Sequence, residues 1–162
     1  MAFGGGCHWC TEAVFQSLKG VIVVEQGFVA SVNENSSFSE AVIVHYDPDV
    51  ISLPILTEVH LLTHNSTSQH SMRKKYRSAV YVYSGIEIRK VKVIFKKLQS
   101  QFNEPIITEV LFFKAFKPSE EQFKNYYFNN PKKPFCRTFI EPKLKMLLQQ
   151  FPKYVDGVTL DD

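Results

Sequence analysis

Only three of the 162 residues are cysteine, an odd and small count that excludes a disulfide scaffold in a chain long enough to bury a core without staples. Such usage fits a reducing compartment, and a cytoplasmic location is expected. Charge of one sign is also scarce: 19 Lys and Arg stand against 16 Asp and Glu, a formal net charge of +3 that gives no general reason to expect nucleic acid as a partner. No apolar run nears the ~20 residues of a bilayer span, and the opening MAFGGGCHWC has neither a basic leader nor an apolar signal core. No membrane association is expected. Repeats, low-complexity tracts and linkers are missing too, so one domain over 1–162 is expected, with 153–162 as a loose acidic tail. What the chain does have is 44% hydrophobic residues, enough for a packed core, and two of its three cysteines within the first ten positions.

Residues 1–3 fit a short strand, and Gly4-Gly5-Gly6 allows a sharp turn into a helix over 7–19, stopped by Gly20. Segments 21–29 and 40–46 are β-branched and read as strands on either side of a polar turn. A helix is predicted over 52–64, with Pro54 in its first turn, and a strand over 77–83. Ile88, Val91, Phe95 and Leu98 recur at helical spacing within 85–102, and 106–113 reads as a strand. A helix over 119–128 is predicted after Pro118, with Ser119 and Gln122 as a capping box, and a last amphipathic helix over 142–151. Strands and helices mix without strict alternation. The expected fold is therefore α+β, a mixed central sheet with helices packed on one face.

The first two thiols stand where chemistry is favoured. A glycine turn delivers Cys7 to a helix N-terminus, where unpaired backbone N–H groups and the macrodipole stabilise a thiolate. Cys10 follows one turn later on the same stripe as Cys7, Val14 and Leu18. In a regular helix the two Cβ atoms lie roughly 5–6 Å apart, so a Cys7–Cys10 disulfide needs a modest local adjustment. Read alone, each cysteine is a small apolar core residue. The turn, the helix start and the C-x-x-C spacing together favour redox or nucleophilic chemistry. Cys136, in a loop after Asn129-Asn130-Pro131, is a second candidate partner.

The stretch GGGCHWCTEAVFQSLKGV resembles the GCFWxxE signature of the peptide methionine-S-sulfoxide reductase A (MsrA) family. EAVIVHYDPDVIS is similar to that family's A-E-V-V-x-V-x-Y-D-P-x-V-I-S strand, YRSAVYVYS to its YRSAIYxxS strand, and KPSEEQFKNYYFNNPKKPFCRTFIEPKLKMLLQQFP to its C-terminal segment. These matches run in the family's order over about residues 3–152.

The resemblance implies a ferredoxin-like core and reduction of the S epimer of methionine sulfoxide, protein-bound or free, in the repair of oxidised proteins under oxidative stress. It implies Cys7 as the nucleophile and Glu40 as the proton donor; without the family, Glu40 at a strand start reads as a solvated edge charge. A sulfenic acid on Cys7 would be resolved by Cys10, Cys136 or an external thiol. No bound cofactor is implied, and the electrons come from thioredoxin or another dithiol. His8 stands where the family has phenylalanine; with Trp9 it would form an apolar wall for the substrate methyl. Phe28 lacks the hydroxyl of the family's G-Y tyrosine. Tyr76 keeps the tyrosine that opens the YRS strand, and Ser71 replaces an aspartate.

Three further readings compete. His60, His64 and His70, the first two i and i+4 on a predicted helix, could join cysteines around a metal, but the carboxylate pattern of a metalloenzyme is missing and no metal is expected. Arg73-Lys74-Lys75, the lysines of 89–97 and Lys132-Lys133 read as solvated faces. The departures at Phe28 and Ser71 leave open a non-catalytic binder of oxidised methionine. The C-x-x-C spacing leaves open a thiol-disulfide oxidoreductase, which the element order after Cys10 fits poorly.

Overall fold

The computed structural model describes residues 1–160. Its strands are β1 (Ala2–Gly4), β2 (Val21–Ala30), β3 (Ser39–Tyr46), β4 (Ala79–Val82), β5 (Glu109–Phe112) and β6 (Ala115–Pro118). The helices are α1 (His8–Gln16), α2 (Leu53–Thr63), α3 (Gly85–Leu98), α4 (Tyr126–Asn129) and α5 (Glu141–Gln150). The strands form one sheet in the order β5-β4-β1-β3-β2-β6. All neighbours are antiparallel except β4 and β5, so the sheet is mixed. Its middle, β4-β1-β3-β2, carries the split βαβ pattern of a ferredoxin-like core, and the α+β architecture is the expected one.

Alternation along the strands divides the apolar residues between two faces. Phe3, Val42, Val44, Val80 and Val82 meet the main core, built with Phe15 of α1, Leu56 and Val59 of α2, Val91 of α3 and Leu144 and Leu147 of α5. Ala2, Ala41, Ile43, Ala79 and Tyr81 form a smaller cluster on the other face. Helix starts follow local rules. Ser52 accepts the Ile55 N–H at the head of α2, where Pro54 needs no partner. Ser84 accepts the Glu87 N–H at the head of α3, and the Glu87 carboxylate accepts the Tyr83 N–H.

The C-terminal half departs from the predicted elements. The helix over 119–128 does not form. The preceding residues 115–118 pair with β2 as an edge strand, Gly27 opposite Pro118, and the Ser119 N–H extends the ladder to Gln26 O. Pro118 ends that strand without being asked for a donor. A Cβ on Gly27 would lie 2.3 Å from Lys117 O, so only glycine lets β6 approach. After a short 3-10 turn, Asn125 takes a left-handed φ of 55° and α4 begins. Ser119 and Gln122 make no capping box; Gln122 bonds Glu120 instead.

Cys136 lies in a π-helical turn (Cys136–Ile140) that leads into α5, not in a loop. The stretch expected to be a loose tail is tied to the end of α1: the Lys19 N–H donates to Tyr154 O at 2.7 Å, the Asp156 N–H to Ser17 O at 2.8 Å, and Leu18 bridges Val155. Tyr154, Val155, Val158 and Leu160 pack on the core, which overrides the acidic composition. The last two residues of that predicted tail lie outside the described residues.

Candidate active site

The glycine turn after β1 is held from two sides. A Cβ on Gly5 would lie 2.4 Å from the His64 ring, which is fixed by Nδ1–H donation to His60 O and a 2.8 Å bond between Nε2 and Ser78 Oγ. From the other side Arg73 Nη1 donates to Gly5 O at 2.8 Å. The same guanidinium holds the carbonyls of Asn65, Ser68 and Tyr76, so one buried cation ties the loop over 65–76 to the turn that aims Cys7. Arg73 is thus a clamp and not part of a solvated basic face. Arg73→Ala leaves several carbonyls without their donor, and urea denaturation is expected to show a loss of about 3 kcal/mol.

Cys7 sits at the N-cap of α1 in extended conformation, and its carbonyl accepts the N–H groups of Cys10 and Thr11. Hydrogen bonding from the Cys10 thiol lowers the Cys7 pKa first, and the Trp9 and Cys10 N–H groups add to it; burial and the Glu40 charge oppose. The Cys10 thiol is raised by donating to Cys7 and by burial, while the Lys143 ammonium pulls the other way. Of the two thiols, Cys7 is therefore the one that loses its proton more readily. Burial lowers Lys143, whose Nζ donates to Thr63 O.

Both thiols line a cavity of about 550 Å³ together with Tyr76, Met72, Phe135, Phe139 and Lys143. Its walls are mostly apolar side chains around one thiolate and one amine, suited to a thioether-like group with a polar oxygen. Cys136 is fully buried, its thiol directed at Asn130 O at 3.6 Å, and lies outside this lining.

Glu40, on β3, is 7% exposed. Its Oε1 accepts the His8 backbone N–H at 3.3 Å and lies 3.4 Å from His8 Nε2; Oε2 lies 3.8 Å from the exposed Lys75 ammonium. His8 and Trp9 do not face the cavity as the expected wall. The His8 ring is turned under the sheet edge against Phe28, centroids 5.1 Å apart, with Nδ1 2.8 Å from Gly27 O. Trp9 stacks on Tyr126 at 4.0 Å and is flanked by Phe123 and Phe135. Of the aromatic positions picked out in the sequence only Tyr76 lines the cavity; Phe135 and Phe139 supply the remaining rings.

Two residues escaped the sequence reading. Glu12, almost fully buried, accepts the N–H groups of Asn125 and Tyr126 and the Gln26 amide, and so carries α4 and the Tyr126 ring to Trp9. Burial raises its pKa, against those hydrogen bonds. Its signal was the closing glutamate of the GCFWxxE signature, which falls on Glu12. Lys143 falls within the C-terminal segment that resembles the family, with no role attached to it. Among the described residues no three His, Cys, Asp or Glu side chains gather to hold a metal ion, and His64 already uses both ring nitrogens. No described helix is long and apolar enough to cross a membrane.

Comparison with known proteins agrees with this arrangement. The family model described as peptide methionine sulfoxide reductase matches residues 1–154. Peptide methionine sulfoxide reductase MsrA of Trichodesmium erythraeum is 33% identical, covering 97% of this chain and 98% of that one. MsrA of Deinococcus radiodurans is also 33% identical, over 92% and 80%. Among solved structures, Mxr1 from Saccharomyces cerevisiae in reduced form superposes with a TM-score of 0.73 at 24% identity, covering 85% of this chain and 88% of that one. Mxr1 in complex with Trx2 gives 0.61, over 75% and 80%. Methionine sulfoxide reductase A of Corynebacterium diphtheriae gives 0.69 at 22% identity, over 80% and 74%. The structures share the fold, and the sequence matches settle the kinship: with a thiol at a helix start, a second thiol beside it and a buried glutamate close by, this chain belongs to the peptide methionine sulfoxide reductase family.

Proposed function

We propose that the chain reduces the S epimer of methionine sulfoxide, protein-bound or free, with Cys7 as nucleophile, Glu40 as proton donor and Cys10 as the resolving thiol. The observation that carries this is the opening of Cys7 and Cys10 into one cavity while a buried carboxyl lies close enough to act on the Cys7 charge. The Cys7 thiolate attacks the substrate sulfur, and the oxygen takes a proton from Glu40 as its bond to that sulfur breaks. Substrate sulfur gains two electrons and leaves as methionine. Cys7 sulfur loses two: its transient bond to the substrate sulfur breaks as the released oxygen bonds to Cys7 sulfur, which becomes a sulfenic acid. Cys10 then attacks Cys7 sulfur, an S–S bond forms, and the hydroxyl leaves with the Cys10 proton as water.

Cys10 is favoured over Cys136 because it shares the cavity with Cys7, whereas Cys136 is sealed in its turn. A thioredoxin-type protein or another dithiol reduces the disulfide, a reading supported by the complex of yeast Mxr1 with Trx2. No bound cofactor is needed. All three cysteines are free, in keeping with a cytoplasmic site of action in the repair of oxidised proteins.

The test supplies purified protein with each epimer of methionine sulfoxide and thioredoxin. Turnover of the S epimer alone is expected. Binding without turnover would make the chain a reader of oxidised methionine, and disulfide exchange without sulfoxide reduction would make it a general oxidoreductase. After one turnover without reductant, mass mapping is expected to find Cys7 joined to Cys10. Cys10→Ser should accumulate a sulfenic acid that dimedone traps, while Cys136→Ser behaves as the parent. A disulfide containing Cys136 would overturn the assignment.

A further inference from the structure

His8 is bound at three points, and together they count its protons. The Gly27 carbonyl can only accept, so Nδ1, 2.8 Å away, carries the hydrogen. A neutral ring then leaves Nε2 as a bare lone pair. Glu40 Oε1 lies 3.4 Å from that nitrogen, and both side chains are less than a tenth exposed. A carboxylate this near a lone pair in so dry a contact is repulsive. One proton on either atom removes the repulsion and leaves an attractive contact, longer than an ordinary hydrogen bond.

We propose that His8 and Glu40 hold one proton in common, and that His8 is the positioning residue that keeps Glu40 loaded for the sulfoxide step. The inference rests on the reading of Glu40 as proton donor. In that step the shared proton leaves through Glu40 for the oxygen released from the substrate sulfur, while Cys7 sulfur supplies the two electrons. The pair regains one proton from solvent before the next turnover. Other ionisable groups around it are few: the Lys75 ammonium at Oε2, the Cys7 thiol, and Glu12 on the same helix, whose carboxyl burial pushes up. Phe28 closes the apolar side of the ring. His8 thereby turns a position expected to be a hydrocarbon wall into part of the acid.

Nitrogen-15 NMR of the parent protein tests the proton count without any variant. Nδ1 is expected to carry a hydrogen, and Nε2 and the Glu40 carboxyl are expected to hold one proton between them. A bare Nδ1, or an Nε2–carboxyl pair that holds no proton or two, overturns the proposal. Single-turnover methionine formation tests the consequence. His8→Phe should slow it by about tenfold, because the carboxyl loses the partner with which it shares the proton. Placed on top of Glu40→Gln, the same change should add little further loss, since no acid is left to supply. An equal loss in both backgrounds, or none in either, overturns the role of His8. If Glu40→Gln itself leaves the rate unchanged, it is the proton-donor reading that fails, and the NMR result still reports separately on the shared proton.

Discussion

Cys7→Ser is expected to abolish sulfoxide reduction, with methionine formation falling at least ~10⁴-fold in a single-turnover assay. The helix start, the N–H groups of Trp9 and Cys10 and the Cys10 thiol all act to hold negative charge on one sulfur. An alcohol does not ionise at neutral pH even with that help, and its oxygen cannot take up a transferred oxygen as a sulfenic acid. The substitution is smaller than the original and partly exposed, so thermal unfolding should be little changed. Near-normal turnover in this variant would sink the mechanism.

Glu40→Gln should lower the rate of methionine formation by about 10²–10⁴-fold with little change in substrate affinity, the range expected when a general acid is lost. Glutamine keeps an acceptor for the His8 N–H but has no proton to give. A second measurement separates acid catalysis from an effect on the nucleophile. An ionised Glu40 raises the Cys7 pKa, so its replacement by a neutral amide should leave that pKa unchanged or lower it, and never shrink the thiolate fraction. Alkylation of Cys7 by iodoacetamide at low pH is therefore expected to be as fast as in the parent or faster, while turnover collapses. If both rates fell together, Glu40 would be acting through the thiolate, and its role as proton donor would be withdrawn.

The first half of the chain was largely legible because its signals are local. The glycine turn, the helix bearing two thiols, Ser52 with Pro54, and Ser84 with Glu87 are short-range patterns, and each appears where its residues place it. The second half follows long-range contacts that no window reveals. β6 exists because Gly27, far earlier in the chain, leaves room for it, and the predicted helix over 119–128 gives way to Asn125 and to backbone N–H groups drawn to Glu12. In the site, the placing of two thiols at the start of α1 was readable, whereas the burial of Glu40 was not, because a glutamate at a strand start reads as solvated. The orientation of His8 was not, because it depends on the Gly27 carbonyl and the Glu40 carboxyl meeting across two strands. Arg73 was misread for a related reason. In sequence it is one of three adjacent cations, and only the folded loop separates the one that is buried from the ones that are not.

The place of β1 in the middle of the sheet sets an order in time. Phe3 pairs with Val42 on one side and Val80 on the other, and Met1 O takes the N–H of Val44. A ribosome delivers residues 1–10 long before either neighbour strand exists, so the glycine turn has nothing to hang from while most of β3 and β4 is still unmade. Until then Arg73 and His64 cannot clamp the turn, and Cys7 is an ordinary thiol on an open chain. Its fixed place in the cavity therefore arrives late, with the middle of the chain.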